Sequence, residues 1–350
     1  MTMRYGPWRS TGNSCSKPDY NGCPLPNPVV GFFYPTHSFQ HIGHFVYFRG
    51  MNEFAKKNFN LILFLATVGG FIIPDPGEYS GPIILGVLCF IIFASSFKVD
   101  FSPAFFRAQA RTIGGFYLIR FLLLPLLLFW LIYPWSPFYA TALFLFAALP
   151  AGVTSPAFTN VFGGNVSLAL ALLILSSSLT PLVLPYLGGM LLDENLEIDQ
   201  FQLFTTLFLT VIFPYLGHLP FRKHEGISSW MRHHDSFISI FGIGIMFALA
   251  IAGYRPVLME DTALLPPFFL VGICAFGLLY LFGWTIWYRG NKSQKLALLF
   301  ISGANNVALG VVVSFLYFPT RMGVFFVVCQ ILWVAVLIPV RRVVGQLVLR

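Results

Sequence analysis

Charged side chains are scarce in this sequence. Aspartate, glutamate, lysine and arginine make up 10% of its 350 residues, against about a quarter in soluble domains. Hydrophobic residues make up 57%, and the mean hydropathy is +0.77. A soluble domain of this length could not cover so much apolar surface, whereas lipid removes the need for polar cover. The composition therefore predicts an integral membrane protein.

The sequence also lacks the patterns of catalysis and of cysteine chemistry. It contains no His-Glu-x-x-His, no Gly-x-Ser-x-Gly and no phosphate-binding glycine-rich loop. We expect no aspartate or glutamate inside a membrane span. The five cysteines form no disulfide or zinc pattern. We therefore predict that the protein is not an enzyme and needs no cofactor.

Residues 1–50 differ from the rest, because prolines and glycines are scattered through them without a sustained apolar period. Such a composition cannot bury a core, so we predict a disordered N-terminal extension. Met51-Asn52-Glu53, followed by two lysines and an apolar run, has the form of a natural protein start. If residues 1–50 are dispensable, a chain that begins at Met51 is still expressed and active; loss of both expression and activity would contradict this hypothesis.

After Met51, apolar runs of nearly bilayer-spanning length follow one another with short breaks. They lie at 58–74, 81–97, 112–133, 138–161, 166–188, 201–220, 235–254, 264–288, 295–318 and 322–340. Each run is expected to be helical, because lipid cannot satisfy loose backbone groups. The pattern predicts an all-α polytopic membrane protein with ten transmembrane helices.

The basic residues predict the orientation of these helices. One set of loops, together with both ends, carries Arg49, Lys56, Lys57, Lys98, Arg107, Arg111, Arg222, Lys223, Arg232, Arg289, Lys292, Lys295, Arg341, Arg342 and Arg350. The opposite loops carry Arg255, Arg321 and the acidic residues Asp75, Glu78, Asp193, Glu194, Glu197, Asp199, Glu260 and Asp261. Because cytoplasmic loops are rich in lysine and arginine, we predict a multi-pass protein of the cell (inner) membrane with both termini cytoplasmic. The net charge of +8 then reflects orientation among membrane lipids, and no nucleic-acid partner is expected.

Ten helices divide into two groups of five at the acidic loop 189–200. An odd-numbered repeat that is duplicated inserts upside down relative to itself, which is a recurring plan of transporters. We predict a first five-helix repeat at 51–188 and an inverted second repeat at 201–340. The fourth run of each half, 138–161 and 295–318, is interrupted by small and polar residues.

The first interruption contains Pro150, Gly152 and Pro156. Each proline removes a backbone donor and blocks the carbonyl one turn back, and Gly152 permits unusual dihedral angles. The second interruption places Asn305 and Asn306 side by side, which is costly unless both amides find partners. We expect local unwinding at Gly303. A proline-kinked helix and ordinary interhelical hydrogen bonds are the alternatives.

We predict that helices 4 and 9 are discontinuous and cross at the middle of the bilayer, where half-helix ends can hold an ion. The candidate substrate-binding residues are Arg120, Thr154, Ser155, Thr159, Asn160, Ser302, Asn305 and Asn306. Arg120 is the only charged side chain well inside an apolar run, and it serves either as a fixed charge beside the site or as a snorkelling residue. Ser176 and Ser177 either line the cavity or help helices to pack.

Five segments of the sequence resemble the bile acid:sodium symporter family. Pro150-Ala-Gly-Val-Thr-Ser155, Gly164-Asn165-Val-Ser-Leu168 and Ser178-Leu-Thr-Pro181 are similar to its fourth and fifth helices. Arg120-Phe-Leu-Leu-Leu-Pro125 resembles its third helix, and Ser302-Gly-Ala-Asn-Asn306 resembles its ninth. The resemblance covers about residues 58–340. The wider superfamily includes arsenite efflux permeases and carriers of organic anions and keto acids.

The resemblance implies a panel bundle of helices 1, 2, 6 and 7 and a core bundle of helices 3–5 and 8–10. Substrate would bind between the bundles near the crossing of helices 4 and 9, and the bundles would rock against each other. The family's first sodium site uses a Ser-Asn pair on helix 4 and hydroxyls on helix 5. Here Ser155 is kept, whereas Pro156, Ala169 and Leu173 stand at the other ligand positions.

The second sodium site of the family uses a Glu and a Gln on helix 9 and a Gln on helix 3. Those positions correspond here to Ile301, Asn305 and Arg120. If sodium binds at all, Ser155 and Asn305 are its candidate ligands. The resemblance thus leads us to expect weak or absent sodium coupling, with Arg120 as a built-in counter-ion.

These observations together predict a secondary active transporter that moves a small or amphipathic organic anion by alternating access. A passive channel or a membrane-embedded assembly subunit is one alternative, and a channel would show neither saturation nor counterflow. A sodium-coupled symporter or an arsenite-type efflux permease is the other.

Overall fold

The computed structural model describes residues 54–55, 57–97, 107, 109–191, 199–286 and 290–349. The predicted N-terminal extension, 1–50, and most of the acidic loop 189–200 lie outside these residues. Within the described part of the chain there is no β-strand, and a single isolated antiparallel bridge joins Ala151 to Asn305.

The described chain is built from α-helices, which we number in chain order. They are α1 (Phe59–Ile72), α2 (Ser80–Ser96), α3 (Ala110–Ile132), α4 (Pro137–Ala148), α5 (Ser155–Val161), α6 (Val166–Leu191), α7 (Gln200–Phe221), α8 (Glu225–Glu260), α9 (Leu265–Thr285), α10 (Lys292–Gly303), α11 (Val307–Tyr317) and α12 (Thr320–Leu349). Each apolar run of the sequence lies on one of these helices or on a consecutive pair.

Five helices within the described residues are long and apolar enough to cross a membrane. They are α3, α6, α7, α8, and α9 together with the short 3₁₀ turn before it. Large apolar side chains on these helices point outward; Trp130 is 63% exposed and Leu270 is 65% exposed. Water would penalise so much exposed apolar surface, whereas lipid accepts it. The protein is therefore an all-helical integral membrane protein.

The helices pack in two sets. In the first set, α8 runs along α1 and α2, and α7 packs on α2. In the second set, α9 packs on α10 and α12, α3 packs on α4, and α6 packs on α5 and α10. The sets meet where α8 contacts α12, where α11 contacts α2 and where α7 contacts α6.

The run 112–133 does not form the regular helix that its sequence predicts. A π-helical stretch, Leu118–Leu123, interrupts α3, and a second one, Phe208–Ile212, interrupts α7. Pro125 and Pro214 follow these stretches. A proline ring blocks the carbonyl four residues earlier and supplies no N–H, so the turn before it widens. Arg120 lies in the first of these wide turns.

The prediction of unwinding at Gly303 is wrong by one residue. Gly303 is the last residue of α10, and the break begins at Ala304. The glycine is needed for packing, because the aromatic ring of Tyr280 on α9 occupies the space that a Cβ would fill. A residue without a side chain lets the two helices approach closely.

A buried carboxylate, Asp235, stands at the first residue of the apolar run 235–254. Helix α8 begins ten residues before the apolar run, at Glu225, so that Asp235 lies well within it. Asp235 is 8% exposed, and its Oδ1 accepts a hydrogen bond from Ser95 Oγ on α2 at 2.6 Å. This partner allows α8 to carry a carboxylate at the contact between α8 and α2.

The contact between α9 and α10 gives a test of this packing. A Cβ at Gly283 would lie 2.6 Å from Ser302 Cβ, whereas a Cβ at Gly277 on the same helix would meet no atom within 4 Å. We expect Gly283→Ala to lower the free energy of unfolding by about 1–3 kcal/mol, since overpacking forces the helices apart. Gly277→Ala should be neutral or stabilising by up to about 1 kcal/mol. Thermal unfolding of both variants in detergent measures the difference, and equal melting temperatures would contradict the close approach.

Candidate functional site

The two breaks in the helices meet each other. The first break separates α4 from α5, and the second separates α10 from α11. Gly152 N donates to Ala304 O at 2.6 Å, and Asn306 N donates to Pro150 O at 2.9 Å. Each break thus satisfies backbone groups that the other break has freed, which is how non-helical chain is tolerated at membrane depth.

The approach of the two breaks is too close for a side chain at Gly152. A Cβ there would lie 2.8 Å from Ala304 O and 3.0 Å from Asn305 O. Two hydroxyl groups complete the junction. Ser155 Oγ lies 2.7 Å from Gly152 O and 3.1 Å from Ala304 O, and Ser176 Oγ accepts from Ala151 N at 3.2 Å. The sequence motif around Gly152 therefore serves first to build this crossing.

Arg120 donates hydrogen bonds to the helix end before each break and to the second break itself. Its Nε donates to Ser302 Oγ at 2.8 Å, and its Nη1 donates to Ala147 O at 2.7 Å. Its Nη2 donates to Ser302 O and to Asn305 Oδ1, both at 2.8 Å. The side chain is fully buried. One guanidinium group thus holds the last turn of α4, the last turn of α10 and the second break in a fixed arrangement.

The acceptors of Arg120 explain how a buried charge is tolerated. The carbonyls of Ala147 and Ser302 lie at the C-terminal ends of α4 and α10. The C-terminal end of a helix carries a partial negative charge, so two helix ends face the guanidinium. Asn305 and Ser302 are themselves held, since Asn305 Nδ2 donates to Phe146 O and Ser302 Oγ donates to Leu279 O, both at 2.6 Å. The positive charge is balanced here by oriented dipoles.

Two clefts lie beside the crossing. The amide cleft is bordered by Thr154, Asn305, Asn306, Gln330 and Trp333, and its empty space, open mouth included, is about 410 Å³. The serine cleft is bordered by Ser95, Ser96, Ser177, Ser178 and Tyr215, and its empty space is about 540 Å³. Val153 and Asn306 border both clefts. The first break therefore forms part of the wall between them.

The structure distributes the predicted site residues over three surroundings. Thr154, Asn305 and Asn306 border the amide cleft, and Asn306 and Ser177 border the serine cleft. A second group is buried and bonded within the protein: Arg120, Ser155, Thr159, Ser176 and Ser302. Asn160 lies on the exposed side of α5, away from both clefts. Four predicted residues thus border one or both of the clefts, and the buried group supports them.

Sequence reasoning missed Gln330, Trp333, Ser95 and Ser96. Gln330 could have been found, because it is a lone amide in the apolar run 322–340, and such a residue is expensive in lipid without a partner. Ser95 and Ser96 end an apolar helix and gave no comparable signal. They reach the site because α2 packs beside α7 and α11.

The residues at the crossing do not fit a bound sodium ion. Sodium prefers several oxygen ligands. Asn305 Oδ1, Ser302 O and Ser302 Oγ are already taken up by the guanidinium of Arg120, and Ser155 Oγ is directed at two backbone carbonyls. The positive charge of Arg120 would also repel a second cation at this place. In the described residues, no cluster of histidine, cysteine, aspartate or glutamate is arranged to hold a metal ion.

Comparison with known proteins finds similar chains in a bacterium. The uncharacterized protein YbaS of Bacillus subtilis (strain 168) is 22% identical over 201 residues, which cover 55% of this chain and 65% of that relative. The uncharacterized sodium-dependent transporter YocS of the same organism is 25% identical over 288 residues, which cover 79% of this chain and 87% of the relative. The match with YbaS thus spans slightly less than two thirds of its length.

A sequence model of the sodium bile acid symporter family matches residues 82–261, slightly more than half of the chain. This match confirms the family resemblance. It covers α3, which carries Arg120, and α4 and α5, which flank the first break, whereas the second break lies beyond the matched residues. The chain belongs to the sodium bile acid symporter family.

Proposed function

We propose that this protein is a secondary carrier of a small or amphipathic organic anion and works by alternating access without sodium. The observation that carries the proposal is the crossing of two interrupted helices, with a cleft on each side of the first break. Membership of a family of symporters supports transport. The substrate and the coupling are inferred from the site itself.

The charges around the amide cleft favour an anion. Arg120 lies directly behind the cleft wall, since its Nη2 donates to Asn305, which borders the cleft. The first turn of α11 also borders the cleft through Val307 and Ala308, and the N-terminal end of a helix carries a partial positive charge. In a region that excludes water, both charges act on a bound ligand with little screening. An anion is therefore favoured over a cation.

The packing supports movement of one helix set against the other. We propose that α1, α2, α7 and α8 form the panel bundle and that the remaining helices form the core bundle. Both clefts are bordered by residues of each set: Leu88 and Asn306 border the amide cleft, and Ser95 and Ser177 border the serine cleft. Rocking at this boundary would open one cleft while it closes the other. The hydrogen-bonded crossing would move as a rigid part of the core.

We propose ten membrane crossings in two inverted five-helix repeats. The paired helices α4–α5 and α10–α11 each count as one broken crossing, and the shorter helices α1, α2 and the first part of α12 are apolar enough to belong to the membrane. The alternation of basic residues supports cytoplasmic termini and a location in the cell (inner) membrane.

Sodium independence distinguishes this proposal from the printed name of YocS, which calls that relative sodium-dependent. The acceptor oxygens at the crossing are occupied by Arg120 in this chain. A charge that is part of the protein would supply permanently what a sodium ion would otherwise bring. We therefore propose that transport is driven by the gradient of the substrate itself or by exchange of one substrate for another.

Transport into proteoliposomes tests the proposal. We expect saturable uptake and counterflow of at least one labelled organic anion from a series that includes pyruvate, 3-hydroxybutyrate and cholate. Uptake should be unchanged when sodium is replaced by choline on both sides. A steep rise of uptake with an inward sodium gradient would overturn sodium independence, whereas uptake without saturation or counterflow would indicate a passive pore.

Substitution of Arg120 tests its role at the crossing. We expect Arg120→Met to lower the free energy of unfolding by about 3–5 kcal/mol, because buried acceptors on both breaks lose their charged partner. Arg111→Met on the same helix is the matched control; Arg111 is exposed, and its loss should change stability by less than about 0.5 kcal/mol. Equal melting temperatures of the two variants would show that Arg120 does not hold the breaks.

A double substitution tests whether Arg120 stands in for sodium. The pair Arg120→Gln and Ile301→Glu restores the oxygen ligands that the family resemblance places at these positions. We expect sodium chloride, compared with choline chloride, to raise the melting temperature of the double variant and to leave the native protein unchanged, since a ligand that binds only the folded state stabilises it. Specific stabilisation of the native protein by sodium would contradict the hypothesis that Arg120 takes the place of a sodium ion.

A further inference from the structure

Two polar atoms on α12 have no hydrogen-bond partner within the described residues, namely Gln330 Oε1 and Trp333 Nε1. The two residues are nearly buried, with exposed fractions of 7% and 5%. Both border the amide cleft. A buried polar group without a partner costs about 1–3 kcal/mol, and each such group in a folded protein needs an explanation. Two such atoms at one cleft wall point to a ligand that forms hydrogen bonds with both.

The chemistry of this pair is complementary. Residues three apart on a helix are neighbours on the same face, so the two groups present adjacent positions to the cleft. Gln330 Oε1 can only accept a hydrogen bond, and Trp333 Nε1–H can only donate one. A hydroxyl group can donate to the first and accept from the second. A carboxylate lacks the donor, and an ammonium group lacks the acceptor, so neither satisfies both.

The same cleft offers a second place for a ligand to bind. Asn306, Val307 and Ala308 bring the first turn of the eleven-residue helix α11 to its wall, where a carboxylate is favoured. The cleft is also bordered by the apolar side chains of Leu88, Ile91 and Ile243. An apolar wall beside two polar positions suits a short carbon chain that carries two polar groups.

We propose that the amide cleft binds a short hydroxycarboxylate. Its carboxylate lies at the first turn of α11, and its hydroxyl donates to Gln330 Oε1 and accepts from Trp333 Nε1–H. The inference rests on the proposed function, because it names the substrate class of the same site.

Matched pairs of anions that differ by one hydroxyl test this assignment. The full chain, purified in detergent, is titrated with lactate or propionate, with 3-hydroxybutyrate or butyrate, and with malate or succinate. We expect the hydroxylated member of at least one pair to bind about tenfold more tightly, which is the usual scale of a buried hydrogen bond. If the unhydroxylated member binds at least as tightly in every pair, the assignment is overturned.

Two substitutions on α12 test whether its side chains cause the preference for the hydroxylated anion. Gln330→Met replaces the whole side-chain amide by an apolar chain of similar length, and Trp333→Phe removes the indole N–H together with part of the ring, so each should reduce the preference for the hydroxyl to about twofold or less. Gln346→Met, an exposed amide on the same helix, and Trp130→Phe, an exposed tryptophan on α3, are the matched controls and should leave the preference unchanged. A preference that persists in both cleft variants would show that water alone satisfies the two atoms and would overturn the proposal.

The stability of the unliganded variants separates a binding role from a structural one. Removal of an unpartnered buried atom should leave the melting temperature of Gln330→Met equal to or higher than that of the native protein. A drop as large as that of Gly283→Ala would show that the amide supports the fold, which would also overturn the proposal. If no anion of either kind binds or is transported, the proposed function itself fails; if both members of each pair bind equally, only the hydroxyl subsite fails.

Discussion

One guanidinium group holds the centre of this molecule together. The hydrogen bonds of Arg120 reach the last turns of two helices and the side chain of Asn305 in the second break. Without this cation, the C-terminal ends of α4 and α10 would face each other with like partial charges. The pairing of Gly152 with Ala304 and of Pro150 with Asn306 can persist only while those ends stay close. The walls of both clefts depend on this arrangement, because Val153 and Asn306 border each of them.

The close approach of helices around this centre is made possible by residues that have no side chain. Gly152 admits the carbonyl of Ala304, Gly303 admits the ring of Tyr280, and Gly283 admits the turn that carries Ser302. Lipid provides no hydrophobic drive for helices to associate, so dense packing and hydrogen bonds must supply the stability. A densely packed crossing transmits displacement as a unit. In the proposed mechanism, movement would therefore occur at the boundary between the two helix sets.

Much of the fold could be predicted from the sequence, because the physical constraints of lipid are simple. Apolar runs of spanning length locate the helices, and Pro150 and Gly152 locate the first break. The sequence predicts only part of the role of Arg120. Its position in an apolar run marks it as special, but its four bonds depend on a π-helical turn and on how α3, α4 and α10 are placed in space. The packing role of Gly303 could not be predicted for the same reason, since its neighbour Tyr280 lies on another helix. Gln330 is visible in the sequence as a lone amide in an apolar run, but its place at the amide cleft depends on how α12 packs.

A cation that belongs to the chain never dissociates, and this has an energetic consequence. In a coupled carrier, the ion enters on one side and leaves on the other, and its movement down its own gradient drives accumulation of the cargo. If Arg120 takes the place of a coupling ion, as proposed, its charge would stay in place through every cycle, and an ionic gradient would have no route into the work of transport through this position. A carrier with such a centre would equilibrate its cargo across the bilayer or trade one molecule for another. Uphill accumulation would require a second solute to move downhill.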